Sequence, residues 1–156
     1  MVSAFAFPNH VMNPSIRLIL RSPLRFLLDG NLIAMTYTGR RSGRRFSVVA
    51  MYAEFGKELI VVVAQPEKKK WWRNFRAGAS ADVLYKGRRF ACSAQVPERD
   101  PAGIVPRLEA YCSRHSSSVR LFKLRREEDG KFNSEDMAKA AEDVVMVVFE
   151  LPPPAR

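Results

Sequence analysis

The chain from Leu32 onward alternates between short apolar segments and polar turns that contain glycine, a pattern typical of antiparallel β-sheets. The apolar segments are rich in β-branched and aromatic residues, which favour extended backbone. The turns at Gly56 and Gly87 are short enough to join neighbouring strands as hairpins. The pattern predicts strands at Leu32–Thr38, Phe46–Glu54, Glu58–Ala64, Ala81–Tyr85, Arg88–Val96 and Val144–Leu151.

Helical spacing of apolar residues occurs in only a few segments. Pro66–Ala77 carries both tryptophans and is predicted to be helical, and a second helix is predicted from Pro101 to about Ser113. Met137–Glu142 predicts one further helical turn. Because short antiparallel strands dominate and no βαβ alternation occurs, the predicted fold is mainly β, a six-stranded antiparallel β-barrel with short helical caps.

The N-terminal region is predicted to differ from the rest. Residues 1–13 lack periodicity and are expected to form a flexible arm. Residues 14–30 predict an amphipathic helical lead-in with three arginines, which either caps the core or contacts an anionic membrane. Since the sequence shows no internal repeat or linker, residues 14–156 are predicted to form a single domain.

Two observations bear on location and on metal binding. The longest apolar runs are only six residues, and residues 1–14 lack the features of a secretory signal, so the expected location is the cytoplasm. Peripheral contact with the inner face of the cell membrane is the alternative. The two cysteines and two histidines show no CxxC or HxxxH spacing, which argues against a structural zinc site.

Charge adds a functional hint, because 26 Lys and Arg against 16 Asp and Glu give a net charge of +10. Residues 1–90 hold 16 basic and 5 acidic side chains, whereas residues 91–156 hold 10 and 11. This uneven distribution indicates an anion-binding surface in the first part of the chain. Nucleic acid, an anionic membrane and a phosphorylated cofactor would each suit it, although no helix-turn-helix or RNA-binding signature supports nucleic acid.

The first candidate site is the loop TGRRSGRR at 38–45. Its two glycines allow a sharp turn with exposed N–H groups, and Ser42 adds a hydroxyl. Its four arginines offer planar forks that suit phosphate or carboxylate. The loop lacks the spacing of a Walker loop. The alternative is a solvated basic hairpin loop without a ligand.

The second candidate site is the segment QPEKKKWWRNFR at 65–76. On a helix, Trp72 and Phe75 share one face, while Trp71 and Asn74 lie round from them. At least one tryptophan is predicted to belong to the core. A solvated basic helix with one buried aromatic stripe is the alternative, and stacking on nucleic acid is a third interpretation.

Taken in order, TGRRSG at 38–43, the strand ending VVVA at 61–64 and WWRNFRA at 71–77 resemble the deazaflavin-dependent nitroreductase and quinone reductase family. That family belongs to the split β-barrel, flavin-binding superfamily. The resemblance covers roughly residues 24–96. It implies a split β-barrel, in agreement with the strand pattern, and it implies a homodimer.

The resemblance also implies binding of coenzyme F420, a deazaflavin with a phosphate and a polyglutamate tail. The family's basic loop binds that tail, which implies this role for Arg40, Arg41 and Ser42. Arg45 would replace a basic residue that the family often carries one position later. The family's third strand ends against the ring system, and its W-[WY]-x-N segment packs beside the cofactor. These two features imply Val63, Ala64, Gln65, Trp72 and Asn74 as further cofactor-binding residues.

The implied function is hydride transfer from the reduced coenzyme to a small quinone-like, nitroaromatic or unsaturated substrate. No catalytic residue and no metal are implied. The compact basic segment Gln65–Lys70 departs from the family's glycine-rich segment, so a non-catalytic barrel that binds FMN or a lipid-like ligand is the alternative. The candidates for a proton donor carry hydroxyl groups, and they are Tyr37, Ser42, Tyr52 and Tyr85.

Overall fold

The computed structural model describes residues 30–153, so the predicted arm and all of the lead-in except Gly30 lie outside the described residues. The described chain is mainly β, which confirms the predicted fold class. Its strands are β1 (Leu32–Thr38), β2 (Arg45–Met51), β3 (Ala53–Phe55), β4 (Glu58–Val63), β5 (Ala79–Tyr85), β6 (Arg88–Gln95) and β7 (Val145–Glu150). Its helices are α1 (Pro101–Arg114), α2 (Ser116–Leu121), α3 (Ser134–Asp143) and a 3₁₀ helix at Trp71–Phe75. Between residues 30 and 153, no helix is long and apolar enough to cross a membrane.

All of these strands form one antiparallel sheet in the order β2-β1-β5-β6-β7-β4-β3. The strands at its two ends, β2 and β3, are separated in the sequence by Tyr52 alone. Because a single residue connects the two ends, the sheet has to curl until they approach each other. This curvature produces the split barrel.

The predicted strand Phe46–Glu54 is divided at Tyr52, which accounts for seven strands in the described chain where the pattern predicts six. Before this residue the chain pairs with β1, and after it the chain pairs with β4. Tyr52 is fully buried, and its N–H donates to the carbonyl oxygen of Asn31 at 3.2 Å. The division therefore depends on partners that are distant in the fold, and the alternation of residue types does not reveal it.

Both predicted hairpins are confirmed. The strands β3 and β4 pair around Gly56, and β5 and β6 pair around Gly87. These glycines have φ values of +58° and +73°, which residues with a side chain rarely adopt. The strands β1 and β2 also pair, and Thr38 lies opposite Arg45, so residues 39–44 form the loop that connects them.

The sheet carries an apolar layer on each of its faces. In β4, Leu59 and Val61 belong to the cluster inside the barrel, whereas Ile60 and Val62 belong to the cluster beneath the helices. The strand β7 alternates in the same way. Because both faces of these two strands are buried, their sequences are continuously apolar and do not alternate with polar residues.

The segment Pro66–Ala77, predicted to be one helix, is helical only over its 3₁₀ part. Gln65 adopts a φ of +52°, and its carbonyl oxygen accepts the N–H of Lys68 at 3.0 Å, so the chain turns before the helix begins. The carbonyl oxygen of Phe75 then accepts the N–H of Val96 at 3.0 Å. This bond fastens the end of the 3₁₀ helix to the chain that follows β6.

The predicted helices of the C-terminal part are present. The carboxylate of Asp100 caps α1 by accepting the N–H of Ala102 at 3.3 Å. The helix α3 extends beyond the predicted turn, because the side chain of Asn133 caps it by accepting the N–H of Asp136 at 3.0 Å. The short helix α2 begins with three serines and shows no helical pattern, so the sequence does not predict it.

Candidate functional site

The loop between β1 and β2 and the 3₁₀ helix form two walls of one cavity, here named the basic cavity. Its volume is about 210 Å³. The floor comes from the end of β1, and most of the lining side chains are aromatic or cationic. The lining residues are Tyr37, Gly39, Arg40, Arg41, Ser42, Phe46, Lys70, Trp71, Arg73 and Asn74.

The loop is held in a closed turn by its own backbone. The N–H of Gly39 donates to the Arg44 carbonyl oxygen at 2.7 Å, and the N–H of Gly43 donates to the Gly39 carbonyl oxygen at 2.9 Å. A Cβ atom at Gly39 would lie 2.6 Å from the Phe46 ring, so only glycine allows this close approach. The hydroxyl oxygen of Ser42 accepts the N–H of Arg44 at 3.2 Å. These contacts fix the loop that carries the arginines.

Asn74 connects the two walls of the basic cavity. Its Oδ1 accepts the backbone N–H of Arg40 at 2.9 Å, and its Nδ2 donates to the Trp71 carbonyl oxygen at 2.9 Å. Both ends of one amide are therefore used, one toward the loop and one within the 3₁₀ helix. This arrangement joins the two sequence motifs across 34 positions of the chain.

Among the described residues, the cations of this cavity have no carboxylate close enough to form an ion pair. Within residues 30–153, no carboxylate oxygen lies within 4.0 Å of the charged groups of Arg40, Arg41, Lys70 or Arg73. The Nε of Arg73 is also buried, and it has no hydrogen-bond partner in residues 30–153. A buried donor without a partner costs about 1–3 kcal/mol, which an anionic ligand would recover. The donor set therefore fits a phosphate or carboxylate group.

The floor of the basic cavity is aromatic. Tyr37 is buried, and its ring packs against Phe46 and Phe75 with centroids 5.8 Å and 5.3 Å away. Burial raises the pKa of the Tyr37 hydroxyl to about 12, so the group stays protonated at neutral pH. It is consequently a neutral hydrogen-bond donor beside four cations.

Four of the residues implied by the family resemblance line this cavity, namely Arg40, Arg41, Ser42 and Asn74. The sequence did not single out Tyr37, Lys70, Trp71 and Arg73 as cofactor contacts, although they line it too. A usable signal existed for one of them, because Trp71 and Asn74 are three residues apart and such residues eclipse in a 3₁₀ helix.

The other implied residues lie elsewhere. Arg45 forms an ion pair with Asp82 at 2.5 Å. Val63 is buried inside the barrel, Ala64 is half-buried and Gln65 is exposed, and none of the three lines the basic cavity. Trp72 lines a separate cavity on the other side of the 3₁₀ helix.

That second cavity, here named the apolar cavity, has a volume of about 160 Å³ and lies between the 3₁₀ helix, the chain after β6 and α1. The Trp72 indole Nε1 donates to the Pro66 carbonyl oxygen at 2.9 Å, which satisfies the only polar atom of that side chain. The guanidinium carbon of Arg76 lies 4.7 Å from the Trp72 ring centroid. The lining residues are Trp72, Arg76, Val96, Pro97, Arg99, Ile104, Val144, Val145 and Met146.

Solved structures share this architecture. One, described as a domain-swapped dimer, matches with a TM-score of 0.57 and 13% identity over 88% of this chain and 94% of its own. Another, an F420-H2 dependent reductase, matches with a TM-score of 0.54 and 16% identity over 79% of this chain and 96% of its own. At these identities the likeness shows a shared split-barrel fold. No protein-family model and no curated protein matches the sequence.

Proposed function

We propose that this protein is an oxidoreductase that transfers a hydride from reduced coenzyme F420 to a small quinone-like, nitroaromatic or unsaturated substrate. The observation that carries the proposal is the hydrogen bond between Arg40 and Asn74, which assembles the two family-like motifs into one cation-lined cavity. The similarity in fold to an F420-H2 dependent reductase supports it.

The basic cavity suits the anionic part of such a coenzyme. At about 210 Å³ it is smaller than the cavities of roughly 300 Å³ or more that enclose whole drug-sized ligands. We therefore assign the phosphate and tail to Arg40, Arg41 and Arg73, whose charges have no carboxylate partner among the described residues. The bound coenzyme supplies the hydride chemistry, and the protein supplies binding and orientation.

The four hydroxyl groups considered as proton donors lie in different parts of the fold. Tyr37 and Ser42 line the basic cavity. Tyr85 instead donates its hydroxyl proton to Glu54, and Tyr52 lies where the two ends of the sheet meet. Because the proposal assigns this cavity to the phosphate and tail, Tyr37 and Ser42 would donate hydrogen bonds to the anionic part of the coenzyme.

A fluorescence titration with oxidised F420 tests the proposal. We expect saturable binding at low salt, and we expect the double variant Arg40→Ala and Arg41→Ala to raise Kd about tenfold or more and to reduce its salt dependence, because both guanidinium groups contact the anionic tail. Arg120→Ala is the matched control, since this exposed arginine on α2 has no side-chain partner in the structure. Absence of saturable binding, or an equal loss in the control, would contradict the proposal.

A second candidate is a non-catalytic barrel that binds FMN or a lipid-like ligand. It is favoured by the compact basic segment Gln65–Lys70, which departs from the glycine-rich segment of the family and begins with a turn at Gln65, whose φ is +52°. Mixing the protein with reduced F420 and menadione separates the two candidates. Consumption of the reduced coenzyme supports the reductase, and binding without consumption supports the second candidate.

We also propose a homodimer, which the domain-swapped arrangement of one structural neighbour supports. Sedimentation velocity measures it directly. A mass of about 35 kDa, twice the 17.7 kDa of the chain, is expected, and a monomer at micromolar concentration would refute it.

A further inference from the structure

The apolar cavity has no role in the proposed reductase activity, and its lining is chemically different from that of the basic cavity. Its floor is buried, with Trp72 exposed by 7%, Ile104 by 4% and Met146 by 1%. It shares no lining residue with the basic cavity. The cavity is therefore a separate site, open to a ligand of its own.

Two arginines stand at the rim of this apolar floor. Arg76 and Arg99 are exposed, and in the described part of the chain neither has a carboxylate within 4.0 Å. The nearby carboxylate of Asp100 is used to cap α1. Two uncompensated guanidinium groups beside a cavity favour an anionic group, and Arg binds carboxylates through a planar fork.

The floor, in contrast, has few polar groups to satisfy. The Trp72 N–H is bonded to the Pro66 carbonyl oxygen, so the indole has no polar atom left to satisfy, and the Arg76 guanidinium carbon lies 4.7 Å from its ring centroid. Ile104 and Met146 add aliphatic and thioether surface. A ligand body that forms no hydrogen bonds would lose nothing by entering, and it would gain the burial of its apolar surface.

We propose that the apolar cavity binds a small carboxylate with an apolar body, with the carboxylate at Arg76 and Arg99 and the body against Trp72 and Ile104. The volume of about 160 Å³ equals about five water molecules in the liquid, enough for one ring or a short chain and too little for a flavin. This site shares no lining residue with the basic cavity, to which the coenzyme's phosphate and tail are assigned.

The two tryptophans of the chain give each cavity its own reporter. Trp71 lines the basic cavity and Trp72 lines the apolar cavity. The ¹⁵N-labelled protein therefore shows two indole N–H signals, and Trp71→Phe assigns them by removing one. If this variant does not fold, Trp72→Phe gives the same assignment.

Benzoate is the probe, titrated at constant ionic strength, with benzyl alcohol as the neutral control of matched shape. We expect a saturable shift that is larger for the Trp72 signal than for the Trp71 signal, and a Kd for benzyl alcohol about tenfold higher or more. Arg76→Gln and Arg99→Gln should each raise the Kd for benzoate about fivefold. The control Arg88→Gln makes the same change of charge at the other end of β6 and should leave the Kd unchanged.

Three results would overturn the proposal. These are the absence of a saturable shift, a larger shift at Trp71 than at Trp72, and equal affinity for benzoate and benzyl alcohol. Unchanged affinity in both Arg76→Gln and Arg99→Gln would likewise remove the assigned carboxylate contact. The experiment contains no F420, so its outcome is separable from that of the coenzyme titration.

Discussion

Two neighbouring tryptophans face different chemical environments. Trp71 lines the basic cavity, and within residues 30–153 its indole N–H has no hydrogen-bond partner. Trp72 lines the apolar cavity, and its indole N–H is bonded to the Pro66 carbonyl oxygen. Successive residues of a 3₁₀ helix are about 120° apart, so a helix of five residues separates two sites with different chemistry.

This difference indicates that the 3₁₀ helix acts as a partition, which means that it separates the two cavities. Phe75 anchors it in the barrel, where its ring lies 5.8 Å from that of Phe149. Asn74 fastens one side of the helix to the arginine loop, and Trp72 fastens the other side to the preceding turn. Each of these contacts can be removed separately, so each gives a test of the partition.

Removing the ring of Phe75, the anchor of the 3₁₀ helix, should cause the largest loss in the free energy of unfolding. Phe75 is fully buried and packs against Tyr37, Trp71 and Phe149. We expect Phe75→Ala to lower the free energy of unfolding by about 3–5 kcal/mol in urea denaturation, because it leaves a cavity in the core. Both ligand sites should weaken together. A loss confined to one cavity would show that the helix is not a common support.

Separating the loop from the helix should have a smaller effect that is confined to one side. Asn74→Leu removes the hydrogen bonds to Arg40 and Trp71, and we expect it to lower the free energy of unfolding by about 1–2 kcal/mol. The same variant should weaken F420 binding and leave benzoate binding unchanged. Equal losses of both ligands would contradict a partition with independent sides.

The variants of the two tryptophans should differ by about 1 kcal/mol in their free energy of unfolding. Trp71→Phe and Trp72→Phe both remove part of a buried indole, but only the second also breaks the bond to the Pro66 carbonyl oxygen. We therefore expect Trp72→Phe to be the less stable variant in urea denaturation. The reverse order would show that the two environments do not differ as described.

A pH change should have the smallest effect on stability, and it originates at His115, which lines neither cavity. His115 is buried and its Nε2–H donates to the Tyr52 carbonyl oxygen at 2.6 Å. Burial lowers the pKa of His115 below its ordinary value, and the charge of Arg114 lowers it further, although the bond to Tyr52 acts in the opposite direction.

Since the folded pKa lies below the unfolded value of about 6.5, the unfolded chain binds the proton more readily. The stabilising contribution of neutral His115 is therefore present above pH 6.5 and is lost as pH falls through the folded pKa. We expect the free energy of unfolding to fall more steeply between pH 7 and pH 5 in the unmodified protein than in His115→Gln. Identical slopes would contradict this assignment.

Much of the fold follows from local pattern. The β1 strand and both glycine hairpins agree with the prediction, because β-branched residues and left-handed glycines act over a few positions. The division at Tyr52 could not be predicted, since it depends on the Asn31 carbonyl and on the separate pairing of β2 and β3. Strand ends were predicted to within about two residues elsewhere.

Part of the candidate site could also be predicted, because it too depends on residues that are close together in the sequence. The turn of the arginine loop depends on its own glycines, so the closed form of this loop follows from the sequence. The sequence does not reveal that Trp72 lies away from Asn74, because this placement depends on a turn at Gln65 and on a 3₁₀ rather than an α-helical twist. The unpartnered Nε of Arg73 arises only from tertiary burial. The cofactor roles of these residues stay predictions.

If the basic cavity binds an anion as proposed, the buried Nε of Arg73, which lacks a hydrogen-bond partner in the described part of the chain, couples the stability of the protein to that ligand. A donor without a partner makes the unliganded protein less stable than its packing allows, by about 1–3 kcal/mol. Replacing Arg73 with an apolar side chain of similar length would then raise the free energy of unfolding and weaken anion binding. Selection for stability and selection for affinity therefore act in opposite directions at this position. Because a ligand that binds only the folded protein stabilises it, the melting temperature would also rise as the basic cavity is filled.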